Sequence, residues 1–301
     1  MKALPVLPLL LRRPGPRNAW LSSALLRATA LELVVLAGHA LIYPTGITGE
    51  RRTTPRPAAG PVPVPVGTTA LPSANTGNTG SGAGAGHTDR PPVVLLHGFI
   101  DNRSVFVLLR RSLARHGWRH LESLNYSPLT CDIRTAAELL GRHIEEICAR
   151  TGHREVDVVG HSLGGLIARY YVQRLGGDRR VRTLVTLGTP HAGTAVAPLA
   201  SAHPIVRQMR GGSAPIEELR LPAPGCRTRF ISFWSELDQV VVPAEAACIE
   251  HPDLDAVNVR VTGIGHLALP VHPAVAAGIR QALDADEPGI RTGFEHRAKA
   301  V

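Results

Sequence analysis

"EVDVVGHSLGGLIARYYVQRL", residues 155–175, joins a short β-branched run to an amphipathic one through the corner Gly-His-Ser-Leu-Gly. The first run predicts a buried strand and the second a helix. A turn straight from strand into helix leaves little room, and glycines at 160 and 164 remove side chains that would clash there. Such a corner lifts Ser162 clear of the sheet at the N-terminus of the following helix. The backbone N–H of Leu163, with the helix dipole behind it, then faces any negative charge that develops beside the serine. Serine is a weak nucleophile unless a neighbouring imidazole accepts its proton. The corner therefore has chemical meaning only if the chain also supplies a base, an acid and a second oxyanion donor.

Toward the N-terminus, "VVLLHGFIDN" (93–102) reads as a strand ending in His-Gly. Its loop would lie at the carboxyl edge of a sheet, and the backbone N–H of Phe99 is the candidate second donor. His97 is expected to brace this loop, and His161 to point into the packing under the serine corner. Toward the C-terminus, "RFISFWSELDQVVVP" (229–243) is a strand followed by a loop carrying Glu236 and Asp238. "VNVRVTGIGHLALP" (257–270) is a later strand that ends in Gly-Ile-Gly-His266. The chain order Ser162, Asp238, His266 is that of an α/β-hydrolase triad. Asp238 is preferred over its rival Glu236. Asp253 and Asp255 sit in "EHPDLD", a surface turn, and His272 in "VHPAV" stands at the start of the last helix.

The same pattern of β-branched runs separated by helical stretches continues from Pro91 to about Leu283. It predicts an α/β fold with a mostly parallel central sheet flanked by helices. The clearest helix runs from Asp132 to about Arg150. Ile133, Ala137, Leu140, Ile144 and Ile147 form one apolar stripe, Thr135 with Glu138 resembles a capping box, and Gly152 is placed to end it.

"HGFIDNRSVF", "GHSLGGLIARYY" and "TLGTPHAGT" together resemble the bacterial class 2 lipases and esterases of the α/β-hydrolase superfamily, in particular secreted actinobacterial triacylglycerol lipases. The resemblance covers about residues 91–283. It implies hydrolysis of fatty-acyl esters by a Ser-Asp-His triad, which carries over to Ser162, Asp238 and His266, with oxyanion donors at Phe99 and Leu163. The chain departs from the smallest, lidless members in residues 192–226, where its length leaves room for a small partial cap.

Outside this region the composition changes. Arg12, Arg13 and Arg17 precede a mostly apolar stretch, residues 19–43, interrupted by Arg27, Glu32 and His39. Residues 1–43 are therefore expected to be a signal or membrane-anchor segment, with the arginines inside and the catalytic domain outside the cytoplasm. The competing expectation is an amphipathic helix packed on the domain. Residues 44–90, rich in Pro, Gly and small polar residues, bury too little apolar surface to offset the entropy of ordering and are expected to be a disordered linker. Residues 284–301 are expected to be a disordered tail.

The formal net charge of +9 argues little for a nucleic-acid partner. Residues 1–90 hold 9 basic against 3 acidic side chains, and the remainder 24 against 21, so the folded part carries no basic stripe. The four cysteines, Cys131, Cys148, Cys226 and Cys248, allow three pairings; the helix between Cys131 and Cys148 disfavours that pair, Cys226 with Cys248 is the sequence-local one, and buried free thiols are the competing expectation. No cluster has metal-ligand spacing, so neither a metal nor a cofactor is expected. The expected protein is a carboxylic ester hydrolase acting on an acyl-ester or lipid substrate as a monomer. An acyltransferase or polyester depolymerase would use the same triad, and a membrane-tethered binding protein on an inactive hydrolase fold is the non-enzymatic alternative.

Overall fold

The computed structural model describes residues 16–47, 90–99, 101–126, 132–195 and 203–284. Six strands form one all-parallel sheet: β1 (Val93–Leu96), β2 (Leu121–Leu124), β3 (Val156–His161), β4 (Val181–Leu187), β5 (Arg229–Ser235) and β6 (Asp255–Val261). Their order across the sheet is β2-β1-β3-β4-β5-β6. Parallel neighbours need crossovers, and these are supplied mainly by α2 (Val107–Arg115), α3 (Ile133–Thr151) and α4 (Leu163–Arg174), with α7 (Pro273–Asp284) following β6. The chain reverses its direction across the sheet between β1 and β3. That switch point opens a crevice at the carboxyl ends of the strands.

Side chains alternate along each strand and so divide the core into two layers. Val94 and Leu96 of β1 join Val158 of β3 in the layer under α3 and α4. Val93 and Leu95 join Val159, Ile231, Ile279 and Leu283 in the layer under α2 and α7. At the opposite edge of the strands from the crevice, the fully buried Asp157 receives two hydrogen bonds from Arg182, at 3.0 and 2.7 Å. The same guanidinium donates to the Leu283 carbonyl at 2.8 Å, which fixes the end of α7 to the sheet.

Five of the six strands coincide with β-branched runs, β4 with "VRTLVTLGTP" (181–190). β2 lacks that signature because "LESL" is short, half polar and lies at the sheet's edge. The stripe from Ile133 to Ile147 is buried as expected, and Gly152 ends α3 in the left-handed conformation. Its start differs from expectation. Asp132 is the N-cap and accepts the Thr135 N–H at 2.7 Å, so Thr135 lies inside the first turn and forms no capping box with Glu138. The aspartate prevails because its short carboxylate reaches the orphan N–H groups of the first turn from outside the helix.

Residues 192–226 are not a bare loop. α5 (Pro204–Gln208) and α6 (Ala214–Glu218) bury Ile205, Val206 and Ile216 in the layer under α3 and α4. Glu218 binds Arg134 and the Tyr170 hydroxyl, and Gln208 accepts the Ile133 N–H at 2.9 Å. Residues 196–202, between these helices and the body, lie outside the described residues. Cys148, Cys226 and Cys248 are free thiols, and Cys131 lies outside the described residues.

The N-terminal stretch forms one long helix, α1 (Pro16–Ile47), in the same unit as the body from Arg90 onward. Ala28 is buried, and Leu31 and Val35 pack on the layer that α2 and α7 cover. These positions, spaced i, i+3 and i+7, put one helix face on the domain. Leu26, Leu33, Val34 and Leu41 on other faces are exposed. Among the described residues, no helix is long and apolar enough to cross a membrane. The linker expected over 44–90 lies outside the described residues except at its ends. So does the tail, apart from Asp284, which closes α7 and pairs with Arg90 at 3.0 Å.

Candidate active site

Ser162 stands between β3 and α4 with φ 52° and ψ −118°, and among the described residues it is the only non-glycine at positive φ. A side chain accepts that backbone strain only where its surroundings leave no alternative. Ser162 N–H donates to the Leu187 carbonyl at 2.9 Å, and its own carbonyl accepts the Thr189 hydroxyl at 3.0 Å. The hydroxyl of Ser162 does not cap its own helix. Close packing explains the glycines: a Cβ on Gly164 would come 2.4 Å from the Leu96 carbonyl oxygen, and one on Gly165 only 1.9 Å from Thr189 Oγ1.

A variant with Gly165 replaced by alanine should therefore be destabilised by about 1–3 kcal/mol through overpacking. The displaced Thr189 hydroxyl would add about 1 kcal/mol through its lost bond to Ser162. The shift of the urea midpoint measures this sum; an unchanged midpoint would mean that the corner relaxes freely.

The loop after β1 is seated on this corner. A Cβ on Gly98 would lie 3.4 Å from the Ser162 Cβ and 3.2 Å from His161 Nδ1. Phe99 follows, half-buried, with its ring 5.5 Å from that of His203 just before α5. The Leu163 N–H belongs to the first turn of α4, where helical peptides have no partner within the helix. His97 stacks face to face on Tyr126 at 4.5 Å, its Nδ1 2.8 Å from the Gly98 carbonyl, and the Tyr126 hydroxyl donates to the His97 carbonyl. Burial lowers its pKa on balance. It braces the loop, as its sequence position suggests.

Asp238 and His266 meet at the ends of β5 and β6. His266 Nδ1 lies 2.7 Å from Asp238 Oδ2, and a proton on Nδ1 would leave Nε2 as the basic nitrogen. The other carboxylate oxygen, Oδ1, accepts the N–H groups of Val240 at 2.8 Å and Val241 at 2.9 Å. Burial would raise the Asp238 pKa, but the charge and hydrogen bond of His266, with these two peptides, hold it below the usual value. For His266 burial acts downward, and the charge and hydrogen bond of Asp238, assisted by Glu32 and Asp101, bring the pKa above the usual imidazole value. Glu236 is engaged elsewhere, paired with Arg260 at the surface. Asp253 accepts the Ala223 N–H at 2.8 Å, Asp255 opens β6, and His272 precedes α7.

Four residues support this arrangement, and three of them, Ser235, Thr194 and Glu32, give no signal in the sequence pattern. His161 is fully buried, as expected, but its surroundings are polar. Nδ1 lies 3.3 Å from Asp101 Oδ2, outside hydrogen-bond geometry, and Nε2 lies 3.3 Å from the His266 carbonyl oxygen. It thereby connects the loop after β1 to the histidine loop. Ser235 donates to the Ile264 carbonyl at 2.6 Å and joins the acid strand to the same histidine loop. Thr194, in "TLGTPHAGT", donates to the Val240 carbonyl at 2.8 Å and accepts the Val242 N–H at 3.0 Å. That motif thus holds the loop of Asp238 in place. The fourth is Glu32, on α1, which accepts two N–H groups from the histidine loop.

A parallel sheet with a strained serine after β3 and an Asp-His pair after β5 and β6 defines the hydrolase class of α/β fold. Residues 91–214 match the family described as alpha/beta hydrolase fold. A triacylglycerol lipase of Pseudarthrobacter phenanthrenivorans is 29% identical over 115 residues, 36% of this chain and 35% of that one. One from Burkholderia plantarii is also 29% identical over 115 residues, 32% of its length. The chain thus spans about a third of the curated relatives that it matches. Two solved structures share the fold. They are the mature Bacillus licheniformis lipase BlEst2 (TM-score 0.56, 16% identity, 65% of this chain and 93% of that one) and Aspergillus fumigatus lipase B (0.59, 19%, 69% and 56%).

Proposed function

We propose that the chain is a carboxylic ester hydrolase that cleaves fatty-acyl esters with Ser162 as nucleophile, His266 as general base and Asp238 as its orienting acid. The observation that carries this reading is the strained, positive-φ backbone of Ser162. A serine held at that cost, at the carboxyl end of the same sheet whose later strands carry the buried Asp-His pair, is suited to nucleophilic attack. The names of the two relatives, both triacylglycerol lipases, support the substrate class.

In this mechanism Nε2 of His266 takes the Ser162 proton as Oγ attacks the ester carbonyl. The oxyanion is bound by the N–H groups of Leu163 and Phe99, each worth about 3 kcal/mol by analogy with single-donor deletions. The imidazolium, stabilised by Asp238, gives its proton to the departing alcohol. Water then attacks the acyl-enzyme as His266 accepts its proton; His266 returns that proton to Ser162 Oγ as the Oγ–acyl bond breaks, and the acyl group leaves as the free acid. A chain-length series of p-nitrophenyl esters tests the reading: turnover that favours one acyl length is expected, and no turnover on any would reject it. Adding alcohols to the same assay separates hydrolysis from acyl transfer.

The pH dependence follows from the charges around His266. The base works only when neutral, and its pKa is raised above the ordinary value of about 6.5. Activity should therefore be lost as pH falls through a point above 6.5. The acid limb of a kcat/KM profile measures this; a limb well below 6.5 would contradict the assigned environment.

A further inference from the structure

We propose that Glu32 is a positioning residue for the catalytic histidine, and that α1 is thereby a working part of the active site as well as an N-terminal appendage. The inference rests on the role proposed above for His266. Glu32 reaches across 235 residues of sequence to the peptides that follow that histidine. Its Oε2 accepts the Leu267 N–H at 2.8 Å and its Oε1 the Ala268 N–H at 3.0 Å. A two-pronged bond to consecutive peptides fixes the orientation of the loop and its distance from the helix. Ala268 is fully buried, so nothing else in solvent can take over that peptide.

The loop is shaped to receive the carboxylate. A Cβ on Gly265 would lie 2.7 Å from Glu32 Cδ, so the residue before His266 must be bare for the contact to form. One turn earlier on the same helix, Thr29 Oγ1 accepts the Gln239 Nε2–H at 3.1 Å. Gln239 adjoins Asp238. One helix face therefore touches both loops that carry the Asp-His pair, while Ala28, Leu31 and Val35 seat it on the core.

Glu32 also adds charge. His266 is faced by Asp238 on its own side of the sheet, by Asp101 and the ring of His161 from beneath the serine corner, and by Glu32 from α1. Removing one of these negative neighbours favours the neutral ring.

The test uses the full chain. Glu32→Gln keeps the shape, removes the charge and leaves one oxygen to accept two peptides. We expect kcat on a short p-nitrophenyl ester to fall about 10-fold or more with KM little changed, as for a small displacement of a catalytic group. The acid limb and the NMR titration of the His266 ring should both move to lower pH. Glu32→Asp, which keeps the charge, should restore much of the titration and less of the rate. Leu33→Ala, on an exposed part of the helix, should behave as wild type.

Wild-type rates and an unmoved ring titration in Glu32→Gln would overturn the proposal. If Glu32→Gln does not fold, Glu32→Asp decides it, since wild-type kcat there would be equally fatal. A wild-type protein without esterase activity whose ring titration still responds to Glu32→Gln would retain the positioning role and reject the ester-hydrolase reading.

Discussion

Replacing Ser162 with alanine should leave a folded protein whose ester hydrolysis is lower by about 10³-fold or more. The substitution removes one oxygen from a buried corner whose architecture does not depend on it. The backbone bonds to Leu187 and Thr189 hold the turn, and the hydroxyl caps nothing. Stability should change little, because alanine keeps the same Cβ at the same positive φ. What would remain is the oxyanion site, with no acyl-enzyme route. Thermal unfolding and initial rates on the same preparation give both numbers. Retained turnover with unchanged stability would remove Ser162 from the mechanism.

The second large effect separates the two acids of "SELDQ". Asp238→Asn should cost about 10⁴-fold in kcat, because an amide in place of the carboxylate lets the imidazole adopt the wrong tautomer. It also removes the charge that stabilises the imidazolium. Glu236→Gln should cost far less. Its side chain is partly exposed and pairs with Arg260, and an exposed pair of this kind contributes about 0–1 kcal/mol. Comparing kcat of the two variants with wild type checks the assignment. Losses in the reverse order would make Glu236 the orienting acid and contradict the bond between Asp238 and His266.

The parts of this architecture that were legible in the sequence are those where local chemistry determines the outcome. Gly160, Ser162 and Gly164 announce a strand-to-helix corner because few residues tolerate one. The runs around Val94, Val158, Val185 and Ile231 announce buried parallel strands because both faces must be apolar, and the alternating run around Val259 announces an edge strand with one face exposed. β2 was hidden because an edge strand of four residues, two of them polar, has neither pattern. The cap of α3 was misplaced because Asp132 and Thr135 are both good N-caps, and the choice is made by geometry outside the pattern.

The supporting residues were hidden for a different reason. Thr194, Ser235 and Glu32 act through partners far away in sequence, and each reads locally as an ordinary loop, strand or helix residue. Glu32 is the sharpest case: in the sequence it is only a charge interrupting an apolar stretch. Only the fold brings it to the peptides after His266.

The central claim is that Ser162 is an activated nucleophile in an ester-cleaving site, and covalent trapping tests it most directly. The full-length protein should react stoichiometrically with a fluorophosphonate, and peptide mass analysis should place the adduct on Ser162. Ser162→Ala should not be labelled, and Asp238→Asn should react far more slowly. Absence of labelling in the folded wild-type protein, or an adduct on another residue, would contradict the account.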